Sequence, residues 1–584
     1  MTTLPPRARW LPRAGTRDRR WVVALLLFQA TAALAQAWCV CPTSPEIVRL
    51  LGGYRRLEEG WHDFDPGNPP LFGNLAALVT LPWDPQVNWS HSSDSLWSAS
   101  DFLLNNQRSI QPLVFTARLV PSLAILWGTL VCRRWGIQLA GRRGGLLAAT
   151  AWALSPLVLS QGAALHPDAL ASVCALVACQ AAWNASRDPT SGGAIQAGLW
   201  LGLALATKFV AIVTVPLWIA LMLGRGSLRP AGGRWATGWL YASGAALFTL
   251  HAAGLFQGGL STLADWGRPT DNRPANDPGH WWRQAPTLVP RDWAVGFTQM
   301  FAVARPVTDA GSNRTPPGAG SASPQYYARL LAWRTPVGLC GLWLAGCIGL
   351  AWRGRRRLSR CLIPLTGAAL CVTACVLAKP HYPRYALPAC AWLAVLAAGA
   401  ASVPGLRHAR TAAALWGTVA LWTMAQLAVW VPWQWGYRNE LAWLRNREEP
   451  VLKFQVDDEG HDTGAALRWE RGAAPQSPVY FALPGFDPRE LGSGMLPLGS
   501  HPLLDPAAPP GGPLPPCTLC ISDLILWEGT RPTEFARGIP VRQKALLARL
   551  VEQRNSSRPL GASLRLFEFT SQDQLEWNLP TAPP

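Results

Sequence analysis

Apolar runs follow one another along the chain at residues 21–40, 112–131, 144–161, 165–183, 194–206, 209–223, 236–256, 335–352, 361–378, 385–402 and 411–431. Most approach the roughly 20 residues that a helix needs to cross the hydrocarbon core of a bilayer. The pattern predicts a mainly α, polytopic membrane bundle of about 11 spans. Two polar stretches interrupt it, 41–111 and 257–334, and the chain changes character again after 431. The later stretch is rich in Gly, Pro, Asn and Trp and reads as irregular with short helices.

Orientation follows from the arginines. Residues 1–20 hold Arg7, Arg9, Arg13, Arg17, Arg19 and Arg20 against a single acid, which keeps this basic N-terminus cytoplasmic and leaves 21–40 as an uncleaved first helix. The connections Arg133–Arg143, Arg187, Arg225–Arg234, Arg353–Arg360 and Arg407–Arg410 should then also be cytoplasmic. They are only if 194–223 is two short segments broken at Thr207–Lys208, since one long helix would put the later basic loops outside. A lysine at such a break marks a functional site unless it snorkels to the interface.

On that topology the outer face receives 41–111, the Gln161–Leu165 turn, the Lys208 break, 257–334, the 379–384 turn and everything from 432 to 584. The organisation expected is therefore a basic N-terminus (1–20), a transmembrane region (21–431) and an extracytoplasmic C-terminal part (432–584). Strand-like runs at Pro478–Leu483, Thr518–Trp527 and Ser563–Phe569 and a helical run at Arg542–Gln553, with Pro/Gly-rich stretches between, predict a small α/β domain there.

Composition adjusts this picture in three ways. The net charge of +18 on 584 residues would suit a nucleic-acid partner, but the arginines cluster at the edges of apolar runs and set orientation instead. Only Lys208, Lys379, Lys453 and Lys544 are lysine, which draws attention to each. Most of the 13 cysteines lie in or beside apolar spans as small hydrophobes, whereas Cys517 and Cys520 form a lone C-x-x-C that suits a local disulfide or two free thiols better than zinc.

The order and spacing of several pieces carry a resemblance. These are GGYRRLEEG followed by NPPLFGNLAAL, FLLNNQ, the span holding Ala117–Arg118, ALSPLVLSQGAALHPDALA, GLWLGLALATKFVAIVTVPL, YYARLLAWRTPVG and HYPRYALP, together covering roughly residues 45–440. The chain resembles the bacterial branch of glycosyltransferase family 39, relatives of protein O-mannosyltransferases and of the aminoarabinose transferase that modifies lipid A, within the GT-C class. The resemblance implies an inverting enzyme of the bacterial inner membrane, its site facing the periplasm, that moves a sugar from a polyprenyl-phosphate donor to an acceptor protein, lipid or glycan. An acid in the first outer loop would activate the acceptor, and cations from other outer turns would hold the phosphate. No nucleotide sugar is called for, and no Gly-rich phosphate loop is present.

Glycosyl transfer needs a carboxylate for the acceptor proton and cations for the departing phosphate. Relatives open the first loop with Asp-Glu, whereas this chain reads Pro45–Glu46. Three readings follow: Glu46 is the base, Asp63 or Asp65 takes its place, or transfer has been lost. Lys208, Lys379, His381, Arg384 and Tyr385 form the cationic group expected on the donor phosphate, with Arg334 and Tyr326–Tyr327 as weaker candidates. Arg118 must pair inside the bundle or meet a phosphate. Asp168 caps a helix or joins the site, and Asn68–Pro69–Pro70 stiffens the first loop as it returns to the membrane. No cofactor is required by these residues, and paired carboxylates would suit a divalent metal. A lipid-binding member without catalysis is the first rival. A transporter is the second, and it would need paired repeats and charges at mid-membrane, which the sequence does not show.

Overall fold

The structure, a computed structural model, describes residues 16–60, 64–89, 95–106, 110–223, 234–257, 259–266, 284–303, 330–352, 363–373, 383–403, 409–431, 437, 439–440, 463–482, 495–498, 516–522, 525, 543, 546–548, 550, 557–560 and 564–569. The expected Asp63, Lys379, His381, Tyr326–Tyr327 and the basic run 353–360 lie outside them.

The chain is mainly α and carries the apolar helices of an integral membrane protein. Among the described residues four helices are long and apolar enough to cross a bilayer, Asp18–Cys39, Ile110–Ala153, Asp168–Arg187 and Arg384–Ser402, and five shorter ones are apolar as well. The first helix, α1 (Thr16–Cys39), covers the first predicted span. The polar stretch after it folds into three helices, α2 (Ser44–Glu59), α3 (Pro70–Thr80) and α4 (Ser95–Asn105). Along α2, Ile47, Leu50, Leu51 and Tyr54 recur at helical spacing and are buried against Phe72, Ala76 and Ala77 of α3. The Tyr54 hydroxyl sits 2.6 Å from Thr80 Oγ1, and burial pushes the phenol up to about 12. Pro69 is extended and Pro70 opens α3, the stiff return that Asn68–Pro69–Pro70 leads one to expect.

The next two predicted spans, 112–131 and 144–161, are joined in α5 (Ile110–Ala153), which reverses at Gly141, where φ is +78°. The second of them is broken. The helix ends at Ala153, and Pro156 starts the short α6 (Pro156–Gly162), so the expected single span 144–161 is two pieces, with proline as the cause. Two helices follow, α7 (Asp168–Arg187) and α8 (Ser191–Thr207). Lys208 is extended (φ −155°, ψ 133°), a 3-10 turn covers Phe209–Thr214, and α9 (Val215–Met222) completes the segment. The break therefore falls at the residue pair that the charge pattern picked out.

Helix α10 (Arg234–Ala253) packs on α8 through small residues. Gly198 and Gly202, four apart, let the backbones of Ala242 and Ala246 approach so closely that a Cβ at either glycine would meet a carbonyl oxygen. Leucine at Gly198 is expected to cost about 1–3 kcal/mol of stability, as overpacked cores do. A lower unfolding temperature of the solubilised protein would register it.

The described residues of the 257–334 stretch include two paired strands and a helix. Leu260–Thr262 (β1) pairs antiparallel with Pro286–Pro290 (β2), and α11 (Arg291–Val303) follows. Trp266, Trp293 and Phe297 gather there around Phe209, the neighbour of Lys208. Arg56 of α2 donates to Asp292 Oδ2 from both terminal nitrogens (3.0 and 2.9 Å) and to the Gly254 carbonyl, tying the two polar stretches together.

After residue 463 the strands make one five-stranded sheet in the order β4-β3-β5-β7-β6, comprising Leu496–Pro497, Val479–Ala482, Cys517–Ser522, Leu564–Phe569 and Arg558–Leu560. The first three are parallel and the rest antiparallel. Alternation places Tyr480, Cys517, Leu519 and Phe567 on one face with Leu546 and Leu550, and Val479, Phe481, Cys520 and Leu566 on the other with Leu467. Cys517 and Cys520 thus point to opposite faces and cannot bridge, so of the two expectations the free thiols hold. Burial pushes the Cys517 thiol up to about 11, so its thiolate fraction stays small until the pH nears that value. In the folded protein at pH 8, maleimide is expected to label neither residue within the time that labels both after denaturation. Mass spectrometry of the C-terminal peptides reads this directly.

Candidate functional site

Two buried ion pairs organise the face on which α1 ends and α7 begins. Thr43, Pro45 and Glu46 open α2, with proline in the first turn, where a missing N–H costs nothing, and glutamate at the third position of a capping box. Glu46 Oε2 accepts from the Thr43 amide (2.9 Å) and hydroxyl (3.2 Å). The same carboxylate takes the fork of Arg118, Nε to Oε1 at 2.9 Å and a terminal nitrogen to Oε2 at 2.6 Å, and Oε1 also accepts from the Leu165 amide at 2.6 Å. Glu46 is fully buried and Arg118 is 1% exposed.

Arg118 has five N–H groups and uses each. Besides the two on Glu46, three donate to the carbonyls of Ala37 (2.9 Å), Val40 (2.7 Å) and Cys41 (3.0 Å) at the end of α1. The guanidinium expected inside the second span therefore pairs with a carboxylate and with helix-terminal carbonyls, which otherwise lack partners. Glu46, expected as the acceptor's base, holds five hydrogen bonds here. It would have to release the Arg118 fork before it could take a proton. The Thr-x-x-Glu spacing with proline inside it was a legible signal for this capping role.

The second pair joins Asp168, the first residue of α7, to Lys208 at the α8 break, with Nζ donating to Oδ1. Both are buried, and the extended backbone at Lys208 lets its side chain reach across to α7. Lys208 Nζ stands 4.3 Å from the centre of the Tyr385 ring, and the Arg384 guanidinium lies 5.8 Å from the same ring. These four residues come from three separate predicted outer turns. Asp168, Lys208 and Tyr385 border a cleft whose other walls include Ala171, Ala175, Val210, Val213, Cys371 and Pro388. Its lining is mostly apolar.

No family model and no curated protein matches the chain. Solved structures do. The chain is similar to the crystal structure of ArnT from Cupriavidus metallidurans bound to undecaprenyl phosphate, with 14% identity and a TM-score of 0.47, over 96% of this chain and 99% of that one. It is also similar to the oligosaccharyltransferase of Archaeoglobus fulgidus in its apo form, with 14% identity and a TM-score of 0.42, over 80% of this chain and 62% of that one.

The other expected residues are placed apart. Asn68 donates to both carboxylate oxygens of Asp65 (3.0 and 3.1 Å) and so orders the 64–69 loop. Arg334 stands on the 330–334 segment, which Asn439 clamps through the carbonyls of Ala332 and Thr335, and it does not line the Lys208 cleft. Among the described residues no group of three or more His, Cys, Asp or Glu side chains could hold a metal ion. The sequence reading passes over Arg49, which lies three residues after Glu46 and reaches the same 163–166 turn, one terminal nitrogen 3.5 Å from the Leu165 carbonyl.

Proposed function

We propose that the protein is a membrane glycosyltransferase that takes a sugar from a polyprenyl-phosphate donor, and that Lys208, Arg384, Tyr385 and Asp168 seat the donor's phosphate on the outer face. The observation that carries this reading is the Lys208–Asp168 pair beside Tyr385 in a mostly apolar cleft, with the Arg384 guanidinium 5.8 Å from the same ring. A cation held in a poorly solvated site favours an anionic group such as a phosphodiester. The apolar walls suit a polyprenyl chain. The ordered resemblance of residues 45–440 supplies the reaction class.

In this mechanism the acceptor oxygen attacks the anomeric carbon from the side opposite the phosphate, so the configuration inverts. The departing polyprenyl phosphate gains a second charge as the bond breaks, and Lys208 and Arg384 stabilise it more than they stabilised the diester. Lys379 and His381, five and three residues before Arg384, would add to that field. Glu46 and Arg118 act as the frame that holds the ends of α1 and α2 and the start of α7 in register. The experiment is transfer and lipid binding by the purified protein with a panel of polyprenyl-phosphate sugars. Release of polyprenyl phosphate coupled to acceptor modification supports the reading.

A second reading has its own support. Pro45 stands where relatives have an acid, and Glu46 is fully engaged, which favours a protein that binds the lipid without transferring the sugar. Tight polyprenyl-phosphate binding with no turnover of any donor in the panel would establish it.

A further inference from the structure

With Pro45 unable to act as an acid and Glu46 enclosed, the transfer reading calls for another carboxylate with room for a substrate. A second cleft offers one, bordered by Arg49, Gly52 and Gly53 of α2 and by Asp65, Asn68 and Pro69 of the following loop. The loop can lie here because α2 has glycine at the contact, since a Cβ on Gly52 would come within 3.0 Å of Asp65 Cβ. Asn68 aligns the Asp65 carboxylate through its bifurcated amide, and that leaves lone pairs on both oxygens for a further donor. Across the cleft, Arg49 Nε is buried and has no hydrogen-bond partner among the described residues. A buried guanidinium N–H left without an acceptor is costly, and it marks a place where a ligand oxygen would be welcome.

The cleft is also well placed. Arg49 reaches the Leu165 carbonyl, three residues before Asp168. On its other flank, a Cβ on Gly296 would stand 2.6 Å from the Pro66 carbonyl oxygen and 2.7 Å from Phe209 Cζ, so the loop bearing Asp65 packs beside the residue that follows Lys208. Arg49 and Gly296 thus link the elements around the second cleft to the segments that carry Asp168 and Lys208.

Resting on the transferase reading above, we propose that this second cleft binds a hydroxyl-bearing acceptor and that Asp65 takes its proton, with Arg49 as the positioning residue. The acceptor O–H donates to an Asp65 oxygen while Arg49 Nε–H donates to an oxygen of the same molecule. The acceptor oxygen forms its bond to the anomeric carbon, and the bond from that carbon to the phosphate oxygen breaks. The electron pair leaves on polyprenyl phosphate, and the proton passes to Asp65 and then to water.

The test uses the full chain in lipid nanodiscs, with the polyprenyl-phosphate sugar that the unaltered protein turns over. Asp65→Asn is expected to lower kcat at least 100-fold while polyprenyl-phosphate binding and the unfolding temperature stay unchanged. Asp65→Glu should restore part of the lost rate, and Arg49→Met should raise the acceptor KM far more than it lowers kcat. Transfer by Asp65→Asn within threefold of the unaltered protein overturns the assignment of Asp65 and leaves the donor site standing. A variant that loses lipid binding and thermal stability together makes Asp65 a loop support and also overturns it. If the unaltered protein neither binds polyprenyl phosphate nor transfers sugar, the donor reading falls and this assignment falls with it.

Discussion

Replacing Arg118 with methionine is expected to destabilise the protein by about 3–5 kcal/mol, the range seen when one partner of a buried pair is removed and the other charge stays behind. The change leaves Glu46 uncompensated and strips acceptors at Ala37, Val40 and Cys41 of their donor. Glu46→Gln should cost a similar amount, because the amide keeps one oxygen for only one of the Leu165 and Thr43 amides, turns an NH2 toward the other donors and leaves buried Arg118 without its counter-charge. A double-mutant cycle over the two positions separates pairing from packing. Unfolding midpoints of the four proteins in one detergent provide the measurement, and strict additivity would show that the pair does not act as a unit. If Glu46 is frame and not base, Glu46→Gln also retains most of the transfer rate per folded molecule.

Lys208→Met is expected to abolish polyprenyl-phosphate binding and to lower transfer at least 100-fold, about 2.7 kcal/mol or more of lost transition-state stabilisation. Methionine approximates the length of the lysine stem, so the α8 break should persist while the cation disappears. Asp168→Asn gives the contrasting result. It leaves Lys208 beside Tyr385 without its carboxylate, so the cleft gains net positive charge and should hold the phosphate more tightly while releasing it more slowly after transfer. Isothermal titration with a short-chain polyprenyl phosphate, beside single-turnover rates, distinguishes the two variants. Equal losses of binding in both would mean that the ion pair serves only to hold α7 against α8.

The parts of this architecture that the sequence made legible are those set by one-dimensional rules. Hydrophobic run length located the helices, and the distribution of arginine located the break at Lys208, because membrane insertion acts on both without reference to tertiary contacts. Strand alternation in 479–569 was visible for the same reason. The missing pieces depend on partners far along the chain. Glu46 stood in sequence as a charge beside a membrane exit, and only folding brings Arg118 from 72 positions away to saturate it. The cleft between Arg49 and Asp65 depends on glycines at the α2–loop contact, whose meaning is spatial. Asp168 was divided between helix capping and the site, and the structure shows it opening α7 and bonded to Lys208.

The carbonyls at the end of α1 have one more implication, and it concerns the order in which the polypeptide is made. Those of Ala37, Val40 and Cys41 are taken by Arg118, that of Trp38 by Gln111, and that of Cys39 by Arg468 at 2.8 Å. The end of α1 is thus completed in two instalments. It is already synthesised when the helix bearing Arg118 arrives, so that guanidinium can leave the insertion machinery into waiting acceptors and not into lipid. The Cys39 carbonyl waits for a residue made more than 400 positions later.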